Sequence, residues 1–338
     1  MTFNVHISDT DYQFAVEPEE SVIDAALRAG LMLPYSCRNG TCGSCLGRVV
    51  EGRIEYPNGL PPAIDSEQDT AGMALFCQAR PASDLVIAVN EVQEAGEIRP
   101  QRLPARVEQI QTCAPDVRRL FLRLPAAKTM PFLAGQYIDI LLRNGQKRSY
   151  SLANAPHDNE LLELHIRHLP GGIFSEHVFT TLKEGALLRF EGPLGNFHLR
   201  EQSDRPSIFI AGGTGFGPIK GIIEHALQIG CTQPMHIYWG ARDVPDLYLN
   251  SLPQKWAETQ AHIQYTPVLS EPGQNSRWSG ATGFVHNQVL KDYPDLQDYD
   301  VYMAGPPPMI NAAKAGFAEA GLPSDRLFYD SFEAGGTP

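Results

Sequence analysis

Three cysteines within nine residues constrain this chain more than any other feature of its 338 residues. The stretch Pro34-Tyr-Ser-Cys37-Arg-Asn-Gly-Thr-Cys42-Gly-Ser-Cys45 crowds three thiols into one loop, and a fourth, Cys77, stands alone downstream in Ala-Leu-Phe-Cys77-Gln-Ala-Arg. A backbone that brings three sulfurs together must turn tightly, which Gly40 and Gly43 permit. The C-x4-C-x2-C spacing with a distant fourth Cys is the pattern by which four thiolates hold a [2Fe-2S] cluster, with backbone N–H groups offsetting its negative charge. Zinc is the other reading of four thiols, but zinc sites draw them from two short-spaced pairs, and here the fourth is solitary. Disulfides fit less well, because the opening Met-Thr-Phe-Asn-Val-His-Ile carries neither the basic nor the apolar segment of an export signal. A cytoplasmic chain is therefore expected. With no apolar run approaching a membrane span, no crossing of a bilayer is expected either.

The local patterns divide the chain into three parts. Alternation at Phe3, Val5, Ile7 and at Tyr12, Phe14, Val16 predicts a hairpin, and Ser21-Val-Ile-Asp24 predicts a capped helix that stops at Gly30. Strands at Leu46 to Glu55, Ala74 to Gln78 and Leu85 to Asn90 complete an expected α+β domain over residues 1–95. This part holds 14 Asp and Glu against 5 Arg and no Lys. Such an acidic surface repels nucleic acid and suits either a basic protein partner or simple solubility. From residue 96 to 104 the periodicity fails around Pro100 and Pro104, which predicts a semi-rigid connector. Short strands then follow at close intervals from 105 to 203, predicting an antiparallel β-barrel with one short helix near Ser175. From 204 to 338 apolar strands alternate with helical stretches, predicting a parallel α/β nucleotide-binding domain.

Two places in these later parts are suited to phosphate. Arg148-Ser149-Tyr150-Ser151 ends a barrel strand, and Gly171-Gly172-Ile-Phe-Ser175 opens a helix. A guanidinium and a helix N-terminus both favour a pyrophosphate, while Tyr150 offers a flat face and Ser151 a hydroxyl to an aromatic ring system. In the last part, Ser207-Ile-Phe-Ile-Ala211 runs into Gly212-Gly213-Thr214-Gly215 and a helix, a second phosphate-binding corner. Met303-Ala304-Gly305-Pro306-Pro307 repeats the strand-into-turn arrangement. Tyr238 and Trp239 are suited either to an adenine or to the core, and Arg242 to a 2′-phosphate. His165 and His168 read as strand residues, and Cys113 and Cys231 as packing residues.

Together these stretches resemble the iron–sulfur flavoprotein reductases, in which a β-grasp ferredoxin domain precedes a ferredoxin-NADP-reductase-like module. Reductase components of phenol hydroxylase, methane monooxygenase and aromatic-ring dioxygenases share that plan. Ala134-Gly-Gln-Tyr137-Ile-Asp139, Arg148 to Pro156, Tyr238-Trp-Gly240 and Gly280 to His286 are most similar to the branch of CDP-6-deoxy-glucoseen reductases. The resemblance implies cluster ligands Cys37, Cys42, Cys45 and Cys77. FAD would be held by Arg148, Tyr150, Ser151, Gly172 and Ser175, with Ser151 near the flavin N5. Gly213, Thr214 and Gly215 would take the NADH or NADPH pyrophosphate, and Gly305 with Pro306 would border the nicotinamide. Ser151, Gly305 and Pro306 are thus the expected catalytic surroundings. Where the family carries Cys before its Gly-Pro turn, this chain has Ala304, and Phe332 is not terminal as the corresponding aromatic often is.

The chemistry that follows is a relay, because a nicotinamide releases two electrons together and a [2Fe-2S] cluster accepts one; a flavin joins the two. The electrons are expected to leave for a partner protein, whether a dehydratase, a hydroxylase or a dioxygenase. Two rivals stand beside the relay. A self-contained oxygenase requires a non-haem iron site, and a non-catalytic zinc and nucleotide-binding module requires neither flavin nor cluster.

Overall fold

The computed structural model describes residues 2–96, 98–273 and 277–333. Two compact units divide the chain, one drawn from Met1–Pro100 with Pro193–Asn196, the other from Gln101–Gly192 and Phe197–Phe332. Among the described residues no helix is long and apolar enough to cross a membrane.

In the first unit, β1 (Phe3–Ile7) and β2 (Gln13–Val16) form the expected hairpin, with Phe3 opposite Val16. Helix α1 (Val22–Arg28) begins where the Ser21 hydroxyl accepts the Asp24 N–H, and the chain reverses at Gly30 with φ of 82°. Its buried Val22, Ile23, Ala25 and Ala26 face the sheet. Each of the two larger side chains contributes about 1.5–3 kcal/mol by leaving water. Strands β3 (Leu46–Glu51), β4 (Met73–Leu75) and β5 (Leu85–Ala88) complete a sheet of order β2-β1-β5-β3-β4, with β1 and β5 parallel. This is the mixed sheet and crossing helix of a β-grasp, and the thiol loop spans the gap between α1 and β3.

The second unit opens with the barrel strands β6 (Gln101–Ala114), β7 (Val117–Arg123), β8 (Tyr137–Leu141), β9 (Lys147–Ser151), β10 (Leu162–Arg167) and β11 (Leu187–Leu194). Their order is β9-β8-β11-β6-β7-β10, and a bridge between Leu152 and Leu164 joins the two ends. Strand β6 begins at Gln101, inside the stretch that its prolines mark as connector. Leu103, Ala105 and Val107 point into the core, and Pro104 is tolerated because β7 joins only from Arg106, so no ladder bond is lost. Helix α2 (Ile173–Thr180) lies between β10 and β11.

The remainder is a parallel sheet of β12 (Ser207–Gly212), β13 (Met235–Ala241), β14 (Ile263–Leu269), β15 (Ala281–Thr282), β16 (Asp300–Gly305) and β17 (Leu327–Ser331), in the order β15-β14-β13-β12-β16-β17. Phe209, Ala211 and Trp239 pack under α3 (Phe216–Gln228) and α4 (Ser251–Thr259) on one face. Ile208, Ile210 and Met303 pack under α5 (Val285–Asp292) and α6 (Pro307–Glu319) on the other. Burial on both faces explains the near-continuous apolar strands. Helix α4 and strand β17 escape the sequence pattern because α4 buries only Pro253 and Trp256 and β17 is a half-buried edge strand.

Strand order reverses between β12 and β16, which makes the crevice beyond their C-terminal ends a topological switch point. The turns leaving those two strands touch: a Cβ added at Gly215 would stand 1.9 Å from the Ala304 carbonyl oxygen. Gly215→Ala is expected to destabilise this sheet by about 1–3 kcal/mol or more, read as an earlier urea midpoint with the visible absorbance of the thiol-loop domain retained.

Candidate functional site

In the thiol loop none of the cysteines is in a disulfide, and Cys42, Cys45 and Cys77 are buried while Cys37 is half-exposed. Arg38, Gly40 and Gly43 all take positive φ, at 57°, 80° and 79°, and these turns fold the loop over its own sulfurs. Gly40 also has no room for a side chain, since a Cβ would lie 2.8 Å from that of Pro61. The thiols meet in two pairs. Cys37 and Cys42 interact, which lowers the Cys37 pKa and raises that of Cys42, and the Cys42 thiol donates to Ser44 Oγ at 3.4 Å. Cys45 interacts likewise with Cys77 and is pushed up. Backbone N–H groups of Asn39 and Cys42 point at Cys37, and that of Ser44 at Cys42 Sγ at 3.5 Å. Among the described residues no three His, Cys, Asp or Glu side chains gather around a single ion. Two adjoining thiol pairs with inward N–H donors fit a binuclear anionic cluster, in which each iron takes two thiolates, better than one tetrahedral ion.

At the barrel, β8 and β9 pair with Ile140 opposite Arg148 and Tyr137 opposite Ser151. The Tyr150 ring lies 5.4 Å from that of Phe174, so the strand end and the start of α2 are neighbours. Burial pushes the Tyr150 phenol far up, which keeps it neutral. Gly171 has φ of 76° with open space where a Cβ would stand, and the first-turn N–H groups of α2 have no intrahelical acceptor. These groups form a cradle suited to a pyrophosphate. The Ser175 side chain is turned differently from the sequence expectation. Its hydroxyl bonds the Leu169 and Gly172 carbonyls at 3.1 and 3.2 Å and accepts the Leu169 N–H, so it braces the loop and leaves the cradle to the backbone. Arg148 bonds the Lys147 carbonyl and Gln146 Oε1 within its own hairpin.

The two glycine turns of the sheet come together. A Cβ at Gly212 would strike Met309 Sδ and Pro306, and Gly305, with φ of 152°, has Gly212 Cα where its own Cβ would stand, 3.0 Å away. Trp239 Nε1–H fastens the first turn by donating to the Gly213 carbonyl at 2.9 Å. Three further residues reach this place, Asp330 and Arg167 without any motif to announce them and Phe332 as the counterpart of the family's aromatic. Ser151 donates to Asp330 Oδ2 at 2.7 Å, and Asp330 is paired with Ala304 on β17. Phe332 N–H donates to the Gly305 carbonyl, bringing its half-buried side chain beside the second turn. Arg167, at the end of β10, lies with its guanidinium carbon 3.6 Å from where a Gly213 Cβ would be, and its Nε and Nη2 are buried without a hydrogen-bond acceptor.

Other candidates lie elsewhere. Tyr238 and Trp239 are fully buried, with Trp239 stacked on Phe216 at 3.9 Å, so neither is open to an adenine. Arg242 is bound to Asp246 at 3.1 Å and to Asp116 at 3.3 Å. His165 bonds Glu163 and Tyr248, and burial lowers its pKa, so it is neutral. Cys113 and Cys231 are half-buried and far in sequence from the loop.

Three domain families match the chain: the 2Fe-2S iron-sulfur cluster binding domain at residues 5–82, the oxidoreductase FAD-binding domain at 104–199 and the oxidoreductase NAD-binding domain at 209–315. A CDP-6-deoxy-L-threo-D-glycero-4-hexulose-3-dehydrase reductase of Yersinia pestis is 39% identical over 333 residues, covering 98% of this chain and 99% of that one. The terephthalate 1,2-dioxygenase reductase component 1 of Comamonas sp. is 37% identical over 332 residues, covering 98% of each chain. Among solved structures, the Amycolatopsis cytochrome P450 reductase GcoB superposes with a TM-score of 0.82 at 31% identity, covering 99% of this chain and 100% of that one.

Asp116 lies 3.3 Å from Arg167 Nη1 and Asp246 3.9 Å from its Nη2, yet Nε and Nη2 make no hydrogen bond and stand beside Gly213. Arg167→Ala is expected to raise the dissociation constant for a nicotinamide dinucleotide roughly tenfold or more, about 1.5–3 kcal/mol for hydrogen bonds to a charged group. Titration calorimetry against the unaltered protein checks this.

Proposed function

This chain belongs to the iron–sulfur flavoprotein reductases, and we propose that within that family it draws electrons from NADH and delivers them singly to a deoxysugar dehydratase. It is an NAD(P)H-dependent oxidoreductase whose domains bind a [2Fe-2S] cluster, FAD and the nicotinamide dinucleotide. When bound, FAD converts two-electron reduction into one-electron release, and the cluster passes the single electrons on.

The residues divide this work. Cys37, Cys42, Cys45 and Cys77 hold the cluster in a domain spanning 1–95. Within the barrel, which begins at β6, Arg148 and the α2 turn at Gly172 and Ser175 would hold the FAD pyrophosphate. Tyr150 would offer its ring to the flavin, and Ser151, whose hydroxyl donates to Asp330, would lie near the flavin N5. In the domain from 204 to 338, Gly213, Thr214 and Gly215, with Arg167 of the barrel, take the dinucleotide pyrophosphate, while Gly305 and Pro306 border the nicotinamide. Asp330 orients the Ser151 hydroxyl. The observation that carries this reading is the Ser151–Asp330 bond, which ties the strand end meant for the flavin to the turn meant for the nicotinamide.

The preference for NADH rests on charge. In dinucleotide folds the strand beside the glycine turn meets the ribose, an acidic residue suiting a 2′-hydroxyl and an Arg a 2′-phosphate. Here that strand, β13, leads into Arg242, whose guanidinium is already held by Asp246 and Asp116, and whose pKa these partners raise further. Asp243 bonds the Val244 and Gly273 N–H groups close by. A phosphate brought there meets more carboxylates than free cations.

The acceptor is read from the relative whose printed name is a CDP-hexulose dehydrase reductase, similar over almost the whole chain. A second reading, reductase component of an aromatic-ring oxygenase, is favoured by the terephthalate dioxygenase relative. NADH-driven turnover of each purified acceptor separates the two, and the reading fails if only the oxygenase is reduced.

Cys42→Ala is expected to abolish cytochrome c reduction while NADH still bleaches the flavin; full cytochrome c activity would contradict passage through the cluster. The unaltered protein is expected to favour NADH in kcat/KM. Neutralising Asp116 and Asp246 as Asn should narrow that preference roughly tenfold, about 1.4 kcal/mol, as measured with the two dinucleotides in parallel.

A further inference from the structure

A buried charged cluster joins the barrel to the nucleotide-binding sheet, and none of the roles above uses it. Lys220 lies in the second turn of α3, the helix that the glycine turn opens, and is 5% exposed. Its ammonium donates to the Ala153 carbonyl at 3.0 Å, to Glu163 Oε2 at 3.1 Å and to Glu224 Oε2 at 2.9 Å. A –NH3+ group has three protons, so all are spent. Glu163, on β10 and 4% exposed, takes Arg119 Nε and His165 Nε2 on its other oxygen, each at 2.7 Å. Burial pushes the Glu163 pKa up, but the His165 hydrogen bond and the Lys220 and Arg119 charges reverse this, so the carboxylate is ionised.

The place of these bonds matters more than their number. Ala153 is two residues from Ser151, and its N–H donates to the Glu163 carbonyl. The Asn154 side chain accepts the Glu163 N–H. Along α3, Gly217 and Gly221 press against this segment, a Cβ at Gly221 falling 3.0 Å from the Asn154 carbonyl oxygen and one at Gly217 3.3 Å from His165 Nδ1. One face of α3 is therefore keyed to the backbone that carries Ser151, while its N-terminus carries Gly213, Thr214 and Gly215. Hydride transfer needs its two carbon and nitrogen centres about 3–3.5 Å apart, and an error of an ångström can cost about a hundredfold in rate.

We propose that Lys220 is a positioning residue for hydride transfer, pinning the dinucleotide-binding helix to the Ser151–Asn154 segment through Ala153 and Glu163. The inference rests on the reductase reading but does not share its test. Lys220 touches neither the dinucleotide nor the flavin; it acts by holding the two binding surfaces in register. Removing it leaves Glu163 still paired with Arg119 and His165, so the carboxylate is not stranded in the core.

The test is anaerobic stopped-flow reduction of the flavin by NADH in full-length, flavin-replete protein. NADH oxidation by the unaltered chain is measured first, since its absence would overturn the reductase reading itself. In Lys220→Met the limiting rate of flavin bleaching is expected to fall about tenfold or more. The NADH concentration for half-saturation should move less than about threefold, because the glycine turn and Arg167 remain. Lys220→Gln, which keeps one N–H donor for Ala153, should recover part of the rate and serves if the Met variant does not fold. A limiting rate within twofold of the unaltered protein in a folded, flavin-replete variant overturns the proposal. So does a loss confined to half-saturation or to flavin content, which would make Lys220 a structural residue only.

Discussion

At the C-terminal ends of β12 and β16 the chain packs backbone against backbone more closely than any side chain permits. Gly215 lies where a Cβ would intrude on the Ala304 carbonyl, a Cβ at Gly305 would press on Gly212 and Met309, and one at Gly212 would strike Met309 and Pro306. This mutual contact creates a shallow surface made of peptide groups, with helix N-termini opening from it, at the point where the strand order reverses. Only glycine lets the two turns approach this closely, and the backbone N–H groups of the partly exposed Gly213 turn open a helix N-terminus suited to phosphate. Everything else in the second unit serves to hold that surface against the barrel: Trp239 from below, Asp330 through Ser151, and α3 through Lys220.

The two ends of the relay solve opposite electrostatic problems. The thiol loop gathers sulfurs that will share a negative cluster, and it meets that charge with backbone N–H groups in an otherwise acidic domain. In the second unit Arg167 and Arg242 are paired with Asp116 and Asp246, so their positive charge is largely met by carboxylates. The barrel interior is apolar, with Phe174 and its core leucines buried and Tyr150 kept neutral by burial. Charge is thus used to choose what enters and leaves, and apolar packing to hold what stays.

The fold class was legible in the residues: a β-grasp with its thiol loop, an antiparallel barrel and a parallel α/β sheet. Register followed from alternation in the hairpin and from double-sided burial in β12 and β16. Where the reading missed, the cause is physical. Pro104 suggested connector because proline marks loops, yet it sits where a strand has a neighbour on one side only. Trp239 was suited either to an adenine or to the core, and its stacking on Phe216 puts it in the core.

What the sequence alone determined is local: which residues turn, which alternate, and which four thiols belong together, since spacing and periodicity act over a few residues. What only the tertiary structure decided is the company those residues keep. Asp330 reaches Ser151 across 179 positions, Arg167 reaches Gly213 from another sheet, and Lys220 reaches Glu163 across 57. None of these pairs leaves a mark in the chain, because an isolated Asp, Arg or Lys has the same composition whether it faces water or a partner. Only packing, by closing the barrel against α3 and β17, removes the water and makes the partner matter.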